Sequence, residues 1–321
     1  MFDFISKSFQ EKVGFIYCNH FNFFLFIKSI LIKYLLKKNE GISSIYLNLV
    51  LKKSQSEVFI SDLDNNENLY KLKKNKKINV LLIQNGGRGG VYDIFEILKK
   101  NQDFEVDDFI VFGENIKNKY KEYVKANYHI LGSYRLNFFN QNFNINKQDI
   151  KNINSITYIS QFRKNDKNNL EEIKVIKFLD TYCFKNEYKL KVHCVARHKG
   201  ILIDLSGKGF KSESDYFKKN IKKANTEFVF SNSTLDSYNN LKKANLVISI
   251  DSTMSLEMFA LYKKIVFFSI RGSKFNSSKF GWPGKYPDDG LFWCNSYDES
   301  KFTKILDNVQ KINQNSWIDQ L

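Results

Sequence analysis

The chain has 321 residues, which is enough for two domains of ordinary size. With 43% hydrophobic and 26% charged residues, its composition is that of a folded globular protein and excludes wholesale disorder. Only 15 glycines and 2 prolines exclude collagen-like and proline-rich chains. The four cysteines are scattered without a C-x-x-C pair, so the sequence predicts no zinc site and fits a reducing cytoplasm.

The net charge is +16, and all but five of the 50 basic residues are lysines. Asparagine, isoleucine, phenylalanine and tyrosine are also abundant, a skew that is typical of an AT-rich genome. We therefore interpret the basic isoelectric point as mainly compositional, with an anionic substrate or an anionic membrane surface as its functional part. The lysines form no basic stripe with interleaved aromatic residues, so the sequence does not favour nucleic-acid binding.

No secretory leader is predicted, because residues 1–14 mix polar and apolar side chains and include Asp3 and Glu11. The most hydrophobic stretch, residues 21–36, is interrupted by Lys28 and Lys33. It is also shorter than the ~20 residues that a membrane span needs. We expect an amphipathic helix there that is buried in the protein, with an interfacial helix as the alternative.

Short apolar strands alternate with helices in both halves of the chain, the pattern of parallel sheets covered on both faces. In the first half we predict helices over 22–38, 42–54, 66–74, 92–100 and 114–126, and strands over 58–64, 78–84, 109–112 and 128–131. In the second half we predict strands over 155–160, 190–195, 228–230, 246–250 and 265–270, and helices over 170–184, 212–223, 234–243, 255–262 and 299–313. The asparagine-rich residues 137–153 are predicted to be a linker.

The predicted fold class is therefore α/β, with two Rossmann-like doubly wound domains facing a central cleft. The first domain covers residues 1–145 and the second covers residues 146–321. Ligands of such sheets bind at the carboxyl ends of the strands, so we expect the functional site there.

All five arginines fall in predicted loops that follow closely behind a strand. A guanidinium presents a planar fork of donors that matches carboxylate or phosphate, so this placement favours an anion site. Loop stapling is the alternative. We expect Arg163 and Arg197 to be the principal anion ligands, and Arg88, Arg135 and Arg271 complete the set. His198, beside Arg197, is a candidate for hydrogen bonding to a sugar or a leaving phosphate, or is a solvated loop residue.

A predicted phosphate site follows the strand over 246–250, which runs into Asp251, Ser252 and Thr253 where a helix begins. Free backbone N–H groups and two hydroxyls at a helix start suit a phosphate or diphosphate. Glu257 lies about one turn further along, where its carboxylate can reach the two hydroxyls of a ribose. The alternative is that Asp251 or Ser252 caps the helix and Glu257 complements its dipole.

Residues 84–90 form a glycine-rich loop after a predicted strand. No G-K-[ST] follows, and the glycine spacing is not that of a dinucleotide fingerprint. Glycines allow a ligand to approach the backbone closely, whereas a flexible turn is the alternative. We predict that Asn85, Gly86, Arg88 and Arg135 line an acceptor or cleft loop.

Several short motifs occur in an order and spacing that resemble a known family. They are Phe59–Asp64, Ile83–Arg88, Phe112–Gly113, Gly132–Arg135, Ile159–Arg163, Asp251–Thr253 and Phe280–Pro283. Over roughly residues 55–300 the chain is similar to bacterial surface-carbohydrate biosynthesis proteins, the lipopolysaccharide and capsule glycosyltransferases, and residues 244–268 resemble the donor site of GT-B-fold enzymes. Met254 and Ser255 depart from the best-known GT-B pattern, which has a glycine-rich turn and a second Glu, so the nucleotide stays open.

The resemblance implies an acceptor-side first domain and a second domain that binds a nucleotide sugar. Ser252, Thr253 and Glu257 would bind the donor phosphate and ribose, and Arg163 and Arg197 would face the donor phosphates or a sugar carboxylate. A glycan or glycolipid would be the acceptor, and no further cofactor is implied. Apart from the resemblance, the aromatic, turn-rich residues over 280–293 predict a loop that stacks on a sugar ring or closes over the site, with a hydrophobic flap that covers the sheet as the alternative.

Asp64 and Asp93 are the candidate catalytic bases, because an inverting transfer needs a carboxylate or histidine to take the acceptor proton. Each is also open to an ordinary structural role. Asp62-Leu63-Asp64 spells the D-x-D of metal-dependent glycosyltransferases. Since arginines and a helix start can neutralise phosphate instead, we expect no metal.

We therefore expect a metal-independent glycosyltransferase, of hexosyl- or ulosonic-acid-transferase type, that builds a lipopolysaccharide or other surface polysaccharide. It would lie in the cytoplasm, held at the inner face of the cytoplasmic membrane by its positive charge. A nucleotide-sugar epimerase of the same fold and a non-catalytic polysaccharide-assembly protein are the alternatives.

Overall fold

The computed structural model describes residues 22–37, 41–54, 57–72, 78–89, 93–100, 104–140, 154–162, 169–194, 202–203, 209–210, 213–273 and 279–320. The chain divides into two compact units. Residues 1–86 and 92–142 form the first unit, and residues 87–91 and 143–321 form the second. This division falls inside the predicted linker, but it places the short segment 87–91 with the second unit.

The first unit contains two neighbouring helices and a parallel sheet. Helices α1 (Phe23–Leu35) and α2 (Ile42–Ser54) pack against each other, and the Tyr46 hydroxyl accepts a hydrogen bond from the Asn22 N–H (2.8 Å). The described strands lie in the order β1-β2-β3-β4 and are all parallel. They are β1 (Val58–Ser61), β2 (Asn79–Ile83), β3 (Phe104–Val111) and β4 (Val124–Ile130). The 3₁₀ helix Glu67–Lys71, α3 (Ile94–Leu98) and α4 (Glu114–Lys121) lie between successive strands, and α5 (Tyr134–Asn140) follows β4.

Helix α4 is shorter, and the last two strands longer, than the sequence indicates. The helix predicted to reach residue 126 ends at Lys121, and residues 124–126 already belong to β4. β4 lies at one edge of the described sheet, and its exposed polar residues Lys125, Asn127 and His129 alternate with less exposed ones, so it lacks the all-apolar signature used to find strands. In β3 the ladder shifts register between Glu105 and Asp108, and polar residues interrupt the apolar run.

Residues 21–36 were expected to form a buried helix, and the expectation of burial is wrong. The helix is present as α1, but Ser29 is its only buried residue. Apolar side chains such as Phe24 and Leu35 lie on its solvent face instead. An apolar helical pattern does not by itself show whether another element covers each face, and here α2 covers only one side.

The second unit is built on a six-stranded parallel sheet with the order β12-β11-β10-β5-β6-β9. Its strands are β5 (Ser155–Ile159), β6 (Lys189–His193), β9 (Thr226–Val229), β10 (Leu246–Ser249), β11 (Ile265–Phe268) and β12 (Trp293–Cys294), and Leu202–Ile203 (β7) pairs with Gly209–Phe210 (β8) separately. The helices are α6 (Asn169–Lys185), α7 (Glu213–Lys218), α8 (Thr234–Lys242), α9 (Thr253–Ala260), α10 (Glu299–Lys311) and α11 (Gln314–Asp319).

This strand order is the doubly wound order of Rossmann folds. Counted along the chain within the sheet, the strands lie as 3-2-1-4-5-6, and the direction of winding reverses between β5 and β10. The predicted α/β class with Rossmann-like parallel sheets is confirmed. The reversal matters for function, because ligands of such sheets bind outside the carboxyl ends of the strands at this point.

The aromatic loop after residue 279 packs onto the sheet. The Phe280 ring lies 4.8 Å from that of Phe267 and 5.1 Å from that of Trp293, centroid to centroid. Phe292 in turn contacts Phe259 of α9 at 4.8 Å. These contacts are those of a hydrophobic flap that covers the sheet, which was one of the roles predicted for this loop.

A buried carboxylate in α6 holds the turn that leads into β9. Asp180 is 4% exposed and accepts hydrogen bonds from the backbone N–H groups of Lys222 (2.9 Å), Lys223 (3.0 Å) and Ala224 (2.7 Å). Charge-assisted bonds of this kind are stronger than neutral ones. Removal of the carboxylate leaves three part-buried N–H donors without their acceptor.

Replacement of Asp180 by alanine (Asp180→Ala) should therefore lower the free energy of unfolding by about 2–4 kcal/mol. Urea unfolding followed by far-UV circular dichroism measures the change. Asp319→Ala removes an exposed carboxylate near the end of the chain and should change the free energy by less than about 0.5 kcal/mol. Equal effects of the two variants would contradict the role assigned to Asp180.

Candidate functional site

The candidate site lies at the carboxyl edge of the second sheet, where the strand order reverses. Strand β10 is buried along its whole length and continues through Ile250 and Asp251 to Ser252. Helix α9 begins at Thr253, two residues earlier than the sequence indicated. The neighbouring strand β5 pairs with β10 and ends at Ile159, after which the chain continues through Ser160 and Gln161.

Serine hydroxyls fix the sharp turn from β10 into α9. Ser249 Oγ accepts the backbone N–H of Ser252 (3.2 Å) and lies 2.9 Å from Ser255 Oγ. Ser255 Oγ also donates to the Ser252 carbonyl oxygen at 2.5 Å. From β11, the Ser269 hydroxyl donates to the Ile250 carbonyl oxygen (2.8 Å). Small hydroxyl side chains can make these bonds in a tight turn, so the start of α9 has one defined position.

The first turn of α9 offers backbone donors to a ligand. Ser252 is the N-cap, yet its side chain makes no capping hydrogen bond. Among the described residues, the N–H groups of Thr253 and Met254 have no acceptor. Unpaired N–H groups and the positive end of the helix dipole together favour a bound anion.

A part of the glycine-rich loop lies against this helix start. Gly87, which belongs to the second unit, donates its N–H to Thr253 Oγ1 at 2.8 Å. A Cβ atom at residue 87 would meet Thr253 Oγ1 at 3.4 Å and Leu256 Cδ1 at 3.5 Å. These are ordinary van der Waals distances, so the close approach is defined by the backbone hydrogen bond and does not require a glycine.

A buried arginine joins the ends of three adjacent strands. Arg271, just after β11, is 3% exposed and donates through Nη1 to Asp251 Oδ1 (2.9 Å) behind β10. The same nitrogen lies 3.3 Å from Gln161 Oε1 behind β5. Burial alone would lower the pKa of Arg271, but the carboxylates of Asp251 and Glu172 raise it, so the guanidinium stays charged.

Glu172 of α6 completes this buried cluster. Its Oε1 accepts the Tyr158 hydroxyl (2.9 Å) and the Gln161 N–H (2.5 Å). Among the described residues, its Oε2 and the Nε and Nη2 of Arg271 have no hydrogen-bond partner. Burial raises the pKa of Glu172 above its ordinary value of 4.5, and the charge of Arg271 opposes this rise. Asp251, with a side chain 30% exposed, is the member of the cluster that reaches the edge.

The two candidate bases, Asp64 and Asp93, both lie in the first unit, and both carboxylates accept hydrogen bonds there. Asp64 is fully buried, and its carboxylate accepts the Tyr120 hydroxyl (2.8 Å) and the Asn85 N–H (3.1 Å). Asp93 is the N-cap of α3 and accepts the Ile94 N–H (2.6 Å). These contacts are those of structural carboxylates, and a catalytic role for either residue stays a prediction.

Glu257 also has a partner inside the second unit. It is 5% exposed on α9 and accepts a short hydrogen bond from the Tyr238 hydroxyl of α8. One turn of helix separates it from Thr253, as the sequence indicated. Its proposed contact with a ribose stays a prediction.

The remaining predicted residues divide into two groups. Arg135 lies over the Tyr134 ring at 5.5 Å in the first unit, and its Nε donates to the Tyr134 hydroxyl oxygen (3.1 Å). Gly86 accepts a hydrogen bond from the Gln84 side chain (2.8 Å), and Arg88 follows Gly87 in the segment counted with the second unit. Arg163, Arg197 and His198 lie outside the described residues.

Arg271 is the member of the site that the sequence reasoning undervalued. It carried the same signal as the other arginines, since it follows a buried strand directly. What the sequence did not show is that Arg271 would lie behind Asp251 in the interior. Across the ranges that the structure covers, no group of three or more His, Cys, Asp or Glu side chains is arranged to hold a metal ion.

Comparison with known proteins places most of the chain in one family. A family model described as "putative O-antigen biosynthesis protein" matches residues 81–321, well over half of the chain. None of the curated proteins matches the chain.

Solved structures with a related arrangement include an epimerase and a transferase. UDP-N-acetylglucosamine 2-epimerase from Rickettsia bellii is 16% identical with a TM-score of 0.49, over 86% of this chain and 71% of that one. Pneumococcal O-GlcNAc transferase GtfA, in complex with UDP and GlcNAc, is 10% identical with a TM-score of 0.44, over 84% and 53%. TarM is 14% identical with a TM-score of 0.47, over 88% and 54%. The chain thus spans about half the length of GtfA and TarM.

The buried cluster predicts a pH dependence of stability. The unfolded chain loses the Glu172 proton near pH 4.5, whereas the folded chain keeps it to higher pH. The protonated Glu172 therefore contributes to the free energy of unfolding in full below the pKa of the unfolded chain. This contribution is lost as pH rises through the pKa of the folded chain. Glu172→Gln cannot ionise but keeps the acceptor oxygen, so its stability relative to the parent should rise as pH increases above 4.5, the ordinary pKa of the carboxyl.

Urea unfolding at a series of pH values measures this difference. Glu227→Gln is the control of opposite sign, because the hydrogen bond from Lys189 lowers the pKa of Glu227. Its stability relative to the parent should fall as pH rises through the acidic part of the range. A flat difference for Glu172→Gln would show that Glu172 carries no shifted proton in the folded chain.

Proposed function

The chain belongs to a family of O-antigen biosynthesis proteins, and from that premise we propose that it is a glycosyltransferase. It would transfer a sugar from a nucleotide-sugar donor to a lipopolysaccharide or other cell-surface polysaccharide acceptor. The observation that carries the proposal is the open first turn of α9, with free N–H groups at the strand-order reversal of a Rossmann sheet. Such a site fits the phosphates of a nucleotide.

In this proposal the N–H groups of Thr253 and Met254 hold a donor phosphate, with the Ser252 and Thr253 hydroxyls beside it. As the glycosidic bond breaks, negative charge grows on the leaving phosphate, and fixed donors stabilise it without reorganisation. Asp251 would repel that charge if it stood alone. Its ion pair with Arg271 (2.9 Å) offsets this repulsion, so a carboxylate is tolerated beside the anion site.

The other predicted residues keep their places in the proposal. Glu257 would contact the ribose, and Arg163, Arg197 and His198 would lie at the rim of the donor site. The loop with Asn85, Gly86 and Arg88, together with Arg135, would serve the acceptor side. Neutralisation of phosphate by N–H groups and guanidinium would make the transfer metal-independent, with no cofactor besides the donor.

The partners of the proposed enzyme are a nucleotide sugar and a glycan or glycolipid acceptor. We place it in the cytoplasm at the inner face of the membrane, because its net charge of +16 favours anionic lipid. In the part of the chain that the structure describes, no helix has the length and apolarity needed to cross a bilayer.

A paired substitution at Thr253 tests the anion site. Thr253→Pro removes one backbone donor at the first helical position, where proline fits, and Ser252 already has the extended φ −68° and ψ 130° that precede proline. Thr253→Val removes the same hydroxyl but keeps the N–H. We expect Thr253→Pro to bind nucleotide at least about tenfold more weakly than Thr253→Val, because a hydrogen bond to a charged group is lost.

Isothermal titration with UDP, GDP and CMP measures these affinities, with thermal unfolding as the check that both variants fold. Absence of binding by the parent chain at millimolar nucleotide would sink the proposal. If nucleotide binds, incubation with nucleotide sugar alone separates the reactions. An isomeric sugar without acceptor would indicate an epimerase, and unchanged donor with every acceptor would indicate a non-catalytic assembly protein.

A further inference from the structure

Helix α1 presents an apolar face to solvent. Phe23, Ile27, Leu31 and Tyr34 follow one another at intervals of four, four and three residues, so they lie in one stripe. Phe24, which is 82% exposed, and Leu35, which is 74% exposed, widen that stripe. We call these six residues the α1 face. Within this fully described helix, Lys28 is the one exposed polar side chain.

The α1 face is not the side of the helix that packs against the protein. Ser29 is buried, and the Phe26 ring contacts that of Tyr46 in α2 at 6.3 Å. These two residues lie on the opposite side of the helix from Leu31 and Phe24. Single exposed apolar residues are ordinary, but a contiguous apolar patch marks an interaction surface.

The charge around this face points to one kind of partner. Residues 22–54 contain six lysines and one acidic residue, Glu40. Lys28 flanks the apolar stripe, and Lys37 follows the helix. Lysine near an anionic lipid surface gains about 1 kcal/mol of attraction, whereas a second copy of a +16 chain would be repelled.

We propose that the α1 face is a membrane-docking surface that inserts its aromatic and aliphatic side chains into the interface of an anionic bilayer. Phenylalanine and leucine are side chains that such in-plane helices bury at the boundary between headgroups and acyl chains, and tyrosine is enriched at membrane–water interfaces. The inference names the surface by which the proposed enzyme would meet its membrane. It does not depend on the glycosyl-transfer activity, so the two proposals fail separately.

Vesicle binding by the full chain tests this inference. Phe24→Ser/Leu31→Ser/Leu35→Ser changes only outward-facing side chains, so the fold should persist. We expect the parent to co-sediment with vesicles of phosphatidylcholine and phosphatidylglycerol, and the triple variant to partition at least about tenfold more weakly. The matched control, Leu170→Ser/Phe184→Ser, alters exposed apolar residues of the second unit and should stay within about twofold of the parent.

A second measurement reports insertion rather than binding. Phe24→Trp should gain fluorescence that shifts to the blue with the same vesicles and is quenched by brominated acyl chains. Phe184→Trp, which adds a tryptophan on α6, is the control. Its blue shift and its quenching should not exceed those of the native tryptophans in the parent chain. Lys28→Glu/Lys37→Glu should weaken binding at low salt by about tenfold or more, and added salt should narrow this difference.

Three results would overturn the inference. The first is equal binding of the parent and the triple variant to anionic vesicles. The second is equal binding of the parent to anionic and to pure phosphatidylcholine vesicles. The third is a dimer of the parent, seen by sedimentation equilibrium without lipid, that the triple variant loses while vesicle binding is unchanged. In that case the α1 face is an interface between two copies of the chain.

Discussion

One buried guanidinium organises the carboxyl edge of the second sheet. Arg271 follows β11, reaches Asp251 behind β10 and approaches Gln161 behind β5, so a single side chain joins three neighbouring strand ends. A buried charge of this kind is stable only with charged or polar partners, so these partners must stay where they are. Asp251, held by this ion pair, lies in the turn that leads from β10 into α9.

At this edge of the sheet, the buried cluster provides the rigid support and the first turn of α9 provides the donors for a ligand. Arg271, Glu172 and Tyr158 lie in the interior, each with at most 3% of its surface exposed, and so offer almost no surface to a ligand. Thr253 and Met254 lie two and three residues after Asp251 and present backbone N–H donors for which the described residues provide no acceptor. A rigid, charged interior behind a free N–H pair is an arrangement that binds an anion without first having to reorganise.

The same logic separates the two kinds of carboxylate found in the chain. Asp180 and Asp64 are buried and satisfied by N–H or hydroxyl donors, so they hold turns in place. Asp251 is partly exposed and paired to a buried cation. Residue type alone does not distinguish these roles, because each depends on which donors the fold brings to the carboxylate.

The sequence by itself determined the α/β class, most strands of the second sheet and the start of a helix near residue 252, because buried parallel strands leave all-apolar runs that end at small polar residues. It also found Ser252 and Thr253 as a turn into a helix. Only the tertiary structure decided that Arg271 lies behind Asp251, that Glu257 bonds Tyr238 and that α1 exposes an apolar face. Each of these depends on contacts between residues distant in sequence or on which faces other elements cover, and local periodicity carries no information about either.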